Sequence, residues 1–66
     1  MLRIAICDDQ EKQLNEVGAL LETYLQLHPH LNGQLELFQS ASALLARAEA
    51  VGGFDLYILD ILMPGL

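Results

Sequence analysis

The sequence predicts an α/β fold: a three-stranded parallel sheet which, if the second and third strands flank the first in the order 2-1-3, carries one helix on each face. Three observations predict it. Short apolar runs begin near residues 2, 34 and 54, stretches of helical period separate them, and the first and third runs end on aspartates. Strands alternating with helices imply parallel pairing, with right-handed crossovers in nearly all such units. Placing the second strand on one side of the first and the third on the other puts the two helices on opposite faces. A crevice then opens at the carboxyl ends of strands one and three.

Each element has its own warrant. Residues 2–7 are almost continuously apolar and are stopped by Asp8 and Asp9, as in a strand buried on both faces. From Gln10 the period changes. Leu14, Val17, Leu21 and Leu25 recur at intervals of three or four, Leu20 and Tyr24 widen the stripe, and Lys12, Asn15, Glu16 and Glu22 lie off it. Asp9 stands where it would cap this helix. Pro29 disfavours helical geometry at His28 and Asn32-Gly33 supplies a turn, so the helix should end near Leu27. Residues 34–39 alternate weakly, Leu35 and Leu37 against Glu36 and Phe38, which suits an edge strand. Ser40 or Ser42 caps a second helix running through Leu44, Leu45 and Ala48 to about Val51, where Gly52-Gly53 stops it. Residues 54–59 are apolar apart from Asp55 and end in Asp60, after which Met63-Pro64-Gly65 cannot continue a strand.

Composition bounds the function. Sixty-six residues allow one domain, and a chain of this size buries only about 60% of its unfolded surface. Yet 53% of the residues are hydrophobic, above the roughly 45–50% of ordinary domains with glycine included. That surplus leads us to expect a piece of a larger protein or a subunit that buries itself on a partner. Three Lys/Arg against nine Asp/Glu give a net charge of −6, which repels phosphate backbones and anionic lipid and makes cations the natural counter-partners. Cys7 is the sole cysteine, so an intrachain disulfide and a Cys-x-x-Cys pair are excluded. The opening apolar run is too short for a signal peptide, and no run approaches the ~18 residues of a spanning helix, so we expect a cytoplasmic protein without membrane contact.

The predicted topology brings Asp8, Asp9 and Asp60 to one edge of the sheet. Like charges a few ångströms apart are costly unless a cation neutralises them or one keeps its proton. All-oxygen ligation favours Mg²⁺, Mn²⁺ or Ca²⁺ over zinc, and two or three carboxylates completed by water is the usual style of Mg²⁺. Mg²⁺ beside a carboxylate suits phosphoryl chemistry, and Asp60, alone at a strand end before an open loop, is the best nucleophile candidate. Taken singly, Asp8 and Asp9 read as a solvated turn and Asp60 as a strand-terminal cap.

Asp8-Asp9 after a short apolar strand, with Ile58-Leu59-Asp60-Ile61-Leu62-Met63-Pro64-Gly65 after a third, resembles the receiver domain of two-component response regulators. The Ile6-Cys7-Asp8-Asp9 opening is most similar to receivers followed by a LytTR-type DNA-binding domain. The resemblance spans residues 1–66 but only the front half of the family's flavodoxin-like (βα)₅ unit of strand order 2-1-3-4-5, implying a truncated receiver. It implies that Asp60 accepts a phosphoryl group from a histidine kinase, that Asp9 binds Mg²⁺ directly, and that Asp8 binds it largely through water. The main-chain carbonyl of Leu62 would complete the protein ligands, and Pro64 and Gly65 would shape the loop beside the acceptor. The family's Ser/Thr on strand four and Lys on strand five have no counterpart here. DNA would be reached only through a further effector domain.

Two other functions compete. A haloacid dehalogenase-type phosphohydrolase also places a nucleophilic Asp at a strand end, but it needs an acid/base Asp two residues later, where this chain has Leu62. A chemically silent unit would self-associate through the outer edge of strand three, which is apolar and without a predicted neighbour. Elsewhere the plain readings stand: Cys7 as an inert core thiol, His28 and His30 as a surface turn, Glu11 as a favourable charge at a helix start, and Tyr24, Phe38, Phe54 and Tyr57 as packing.

Overall fold

Leu2–Asp8 forms β1, the central strand, because it carries apolar side chains on both faces: Ile4, Ala5, Ile6 and Cys7 are buried, and so is the charged Asp8 that ends the strand. The structure, a computed structural model, describes residues 1–60. After β1 come α1 (Glu11–Leu27), a 3₁₀ turn at Pro29–Leu31, β2 (Gly33–Phe38), α2 (Ala41–Val51) and β3 (Leu56–Asp60). Both β2 and β3 pair parallel to β1, giving the order β2-β1-β3. The predicted fold is therefore the observed one, with β2 at an edge. Alternate residues of β1 serve opposite faces: Ile4 and Ile6 pack with Leu14 and Leu25 of α1, and Ala5 and Cys7 pack with Leu44 of α2. No helix among the described residues is long and apolar enough to cross a membrane.

The stripe on α1 is narrower than its sequence suggests. Leu14, Gly18 and Leu25 are buried and Val17 and Leu21 pack against them, but Leu20 and Tyr24 are 73% and 51% exposed. α1 lies over β1 and β2, and Gly18 lets it come close: a Cβ there would stand 3.1 Å from both methyls of Leu37. The flank carrying Leu20 and Tyr24 is thereby left in solvent, and the Tyr24 ring rests against His28, 4.2 Å between centroids.

Asp9 does not cap α1. The N-cap is Gln10, which makes no side-chain cap bond. Asp9 is too close in sequence, whereas Asp8, two residues back, accepts the Gln10 N–H at Oδ1 over 2.9 Å, the reach of an Asx turn. At the other end, Asn32 takes a left-handed φ of 50° after the 3₁₀ turn. Gly33 leaves room for Leu25: a Cβ there would press on the methyls of that side chain and force it to shift.

Ser40, rather than Ser42, caps α2, its Oγ accepting the Ala43 N–H at 3.2 Å. Gly52 and Gly53 adopt φ of 82° and 98° and both donate to the Ala48 carbonyl, closing the helix as the paired glycines predict. Only Leu44 of α2 enters the core; Leu45 is 67% exposed.

β3 begins at Leu56 instead of residue 54, because Phe54 leaves the strand line to pack with Phe38 under α2. Asp55 then fastens the junction: its Oδ2 accepts the Arg3 N–H and its own N–H donates to the Arg3 carbonyl, each at 2.8 Å. The Arg3 guanidinium donates to the Val51 carbonyl at 3.1 Å and lies over Phe54, while Glu36 accepts from Arg47 at 2.8 Å and stands 3.9 Å from Arg3. Both arginines are thus engaged away from the aspartates that end β1 and β3.

Candidate functional site

The sheet register builds the site. Ile4 pairs with Leu56, Ile6 with Ile58, and Asp8 with Asp60. Side chains of register partners leave the sheet on the same side, and neighbouring strands run about 4.8 Å apart, so the two carboxylates start from adjacent backbone positions. By the two-residue period they continue the row of Ile4, Ile6 and Ile58 that packs toward α1. The two differ in setting. Asp8 is only 4% exposed and tied to the Gln10 N–H, whereas Asp60 is open to solvent.

Asp9 follows in the bend after β1, exposed and outside the ladder. The sequence therefore placed three carboxylates at one edge, and the structure pairs two of them directly. Among the described residues no three His, Cys, Asp or Glu side chains stand together as a metal cage, and the expected crevice is not an enclosed pocket. The expectations for Leu62, Pro64 and Gly65 fall outside the described residues.

The donors fit a hard divalent cation. Asp8 and Asp60 offer oxygen alone, and among the described residues neither forms an ion pair. One or two carboxylates with water in the remaining positions is a common Mg²⁺ shell.

Cys7, just before the pair, is buried; burial pushes its thiol pKa up, and the charges of Asp8 and Asp9 push it further. A thiol so placed stays protonated and inert at neutral pH. His28 and His30 lie 5.8 Å apart between the end of α1 and the start of β2, at the opposite end of the sheet from Asp8 and Asp60.

Two contributors escaped the sequence reading. The Gln10 main-chain N–H was legible in principle, since an Asp two residues before an N-cap is an Asx-turn signal. The Asp55–Arg3 clasp, 52 residues apart in sequence, has no local signal. Comparison with protein-family models, curated proteins and solved structures finds no match.

Proposed function

We propose that the Asp8–Asp60 edge is the phosphoacceptor half-site of a receiver-type signalling module, loaded by a histidine kinase and passing its state to an effector domain in a cytoplasmic regulatory protein that acts on transcription. The observation that carries this reading is the register pairing of the two aspartates at the carboxyl end of adjacent parallel strands. Asp60 supplies the nucleophile: its exposed carboxylate oxygen attacks the phosphorus of a phosphohistidine, the new O–P bond forms as the P–N bond breaks, and the imidazole leaves with the electron pair and takes a proton. Asp8, buried and tied at Oδ1, is the preorganised partner that holds negative charge beside the acceptor. Asp9 adds a further carboxylate from the bend. Mg²⁺ at this edge would neutralise these charges and draw charge off the transferring phosphoryl oxygens. Because Asp60 itself ends the transfer as an acyl phosphate, the module acts as an acceptor rather than an enzyme.

Intact-mass analysis after incubation with phosphoramidate tests this, with Mg²⁺ or a chelator present and with Asp60→Asn as control. The expected result is a single phosphoryl adduct that needs both Mg²⁺ and Asp60. No adduct, or an equal adduct on Asp60→Asn, contradicts the reading.

One observation favours a second reading, self-association along β3. Leu56, Tyr57 and Leu59 are 46%, 44% and 56% exposed on a strand with no charge before Asp60. Uncharged exposed strands invite edge pairing. Sedimentation of the wild type and Leu59→Lys tests it: a dimer lost on substitution supports association, and a monomer in both excludes it.

A further inference from the structure

Asp8 belongs to two structures at once. It is the register partner of Asp60, and it supplies the bond that joins the end of β1 to the start of α1. A helix start leaves its first N–H groups without intrahelical partners. Here the N-cap residue, Gln10, makes no side-chain bond, so the Gln10 N–H depends on Asp8 Oδ1 while the Gln10 carbonyl accepts from Leu14 at 3.0 Å. One carboxylate oxygen is thus committed to the helix, and Oδ2 makes no hydrogen bond to any described residue.

We propose that Asp8 is a positioning residue that couples cation occupancy at the Asp8–Asp60 pair to the order of the first turn of α1. The inference rests on the phosphoacceptor reading and adds to it a route by which loading is felt outside the site. Without a cation, repulsion from Asp60 drives the Asp8 carboxylate to turn away, and each excursion releases the Gln10 N–H to water. With a divalent cation held at the pair, Asp8 would no longer be repelled, so Oδ1 would stay on the Gln10 N–H and the turn would close. Asn at position 8 separates the two duties: its side-chain oxygen can still accept from Gln10, but it carries no charge for a cation.

Hydrogen exchange of the Gln10 amide, read by NMR on the full 66-residue chain, tests the coupling with Mg²⁺ or a chelator present, in wild type, Asp8→Asn and Asp8→Ala. Mg²⁺ should slow exchange at Gln10 in the wild type by roughly fivefold, the scale of one helix-capping bond. Asp8→Asn, which removes the repulsion and keeps the acceptor, should exchange within about twofold of the Mg²⁺-bound wild-type rate whether or not Mg²⁺ is present, and Asp8→Ala should speed the metal-free rate by roughly fivefold. Amide shifts at Asp8 and Asp60 report binding in the same samples. Shifts without slowed exchange overturn the coupling and leave the site reading intact. No shifts overturn the site reading and the coupling with it. An unchanged metal-free rate in Asp8→Ala overturns the role of Asp8 as the tie, and because Asp8→Asn preserves shape, unfolding of the alanine variant does not remove the test.

Discussion

Asp8 and Asp60 are register partners across β1 and β3, one carboxylate buried and the other in solvent. Like charges set directly opposite on neighbouring strands destabilise a sheet. Asp60→Asn should therefore raise stability in metal-free buffer, by a few tenths up to about 1 kcal/mol, measured by urea denaturation. A loss of stability of that size would mean that Asp60 makes favourable contacts absent from this account.

Cys7 gives a pH dependence of definite sign. Its folded-state pKa is raised, chiefly by burial and further by Asp8 and Asp9. Above the ordinary thiol value of about 8.5 the unfolded chain gives up a proton that the folded chain retains. Stability from this group is fully present below that value and is lost as pH rises through the folded pKa. Urea melts between neutral and alkaline pH should show a steeper decline in the wild type than in Cys7→Ala. In the folded protein, a thiol reagent at neutral pH should label Cys7 only as fast as the chain opens.

Gly33→Ala places a methyl against the side chain of Leu25, a core residue that is 9% exposed. Overpacking of this kind costs about 1–3 kcal/mol. A denaturation midpoint that falls accordingly, with the slope unchanged, is the expected result.

Asp55→Ala leaves the Arg3 N–H without its carboxylate acceptor at the mouth of β3. The bond is exposed, so the loss should be about 1 kcal/mol, with faster amide exchange at Arg3 than in the wild type.

Where the sequence was legible, the pattern was periodic and local. The apolar run of β1, the paired glycines after α2 and the strand-helix alternation each had a single physical meaning and together implied parallel strands with intervening helices, and the structure sets those strands in the order β2-β1-β3. Placement of one element over another was less legible. Leu20, Tyr24 and Leu45 look like core in one dimension, yet they are exposed because only the side of each helix toward the sheet has a partner. Asp9 looked like a cap because helix starts are uncertain by a residue or two, and that margin decided that Asp8, two residues before the cap, makes the bond. The pairing of Asp8 with Asp60 was legible as convergence at one sheet edge; the register that makes them direct neighbours came from the structure.

Calorimetric titration of Mg²⁺ into the wild type, Asp8→Asn and Asp60→Asn tests most directly whether the paired aspartates form a working cation site. Mg²⁺ should bind the wild type and bind each variant at least about tenfold more weakly, a difference of roughly 1.4 kcal/mol. Binding to both variants as tight as to the wild type would place the cation elsewhere and contradict the account.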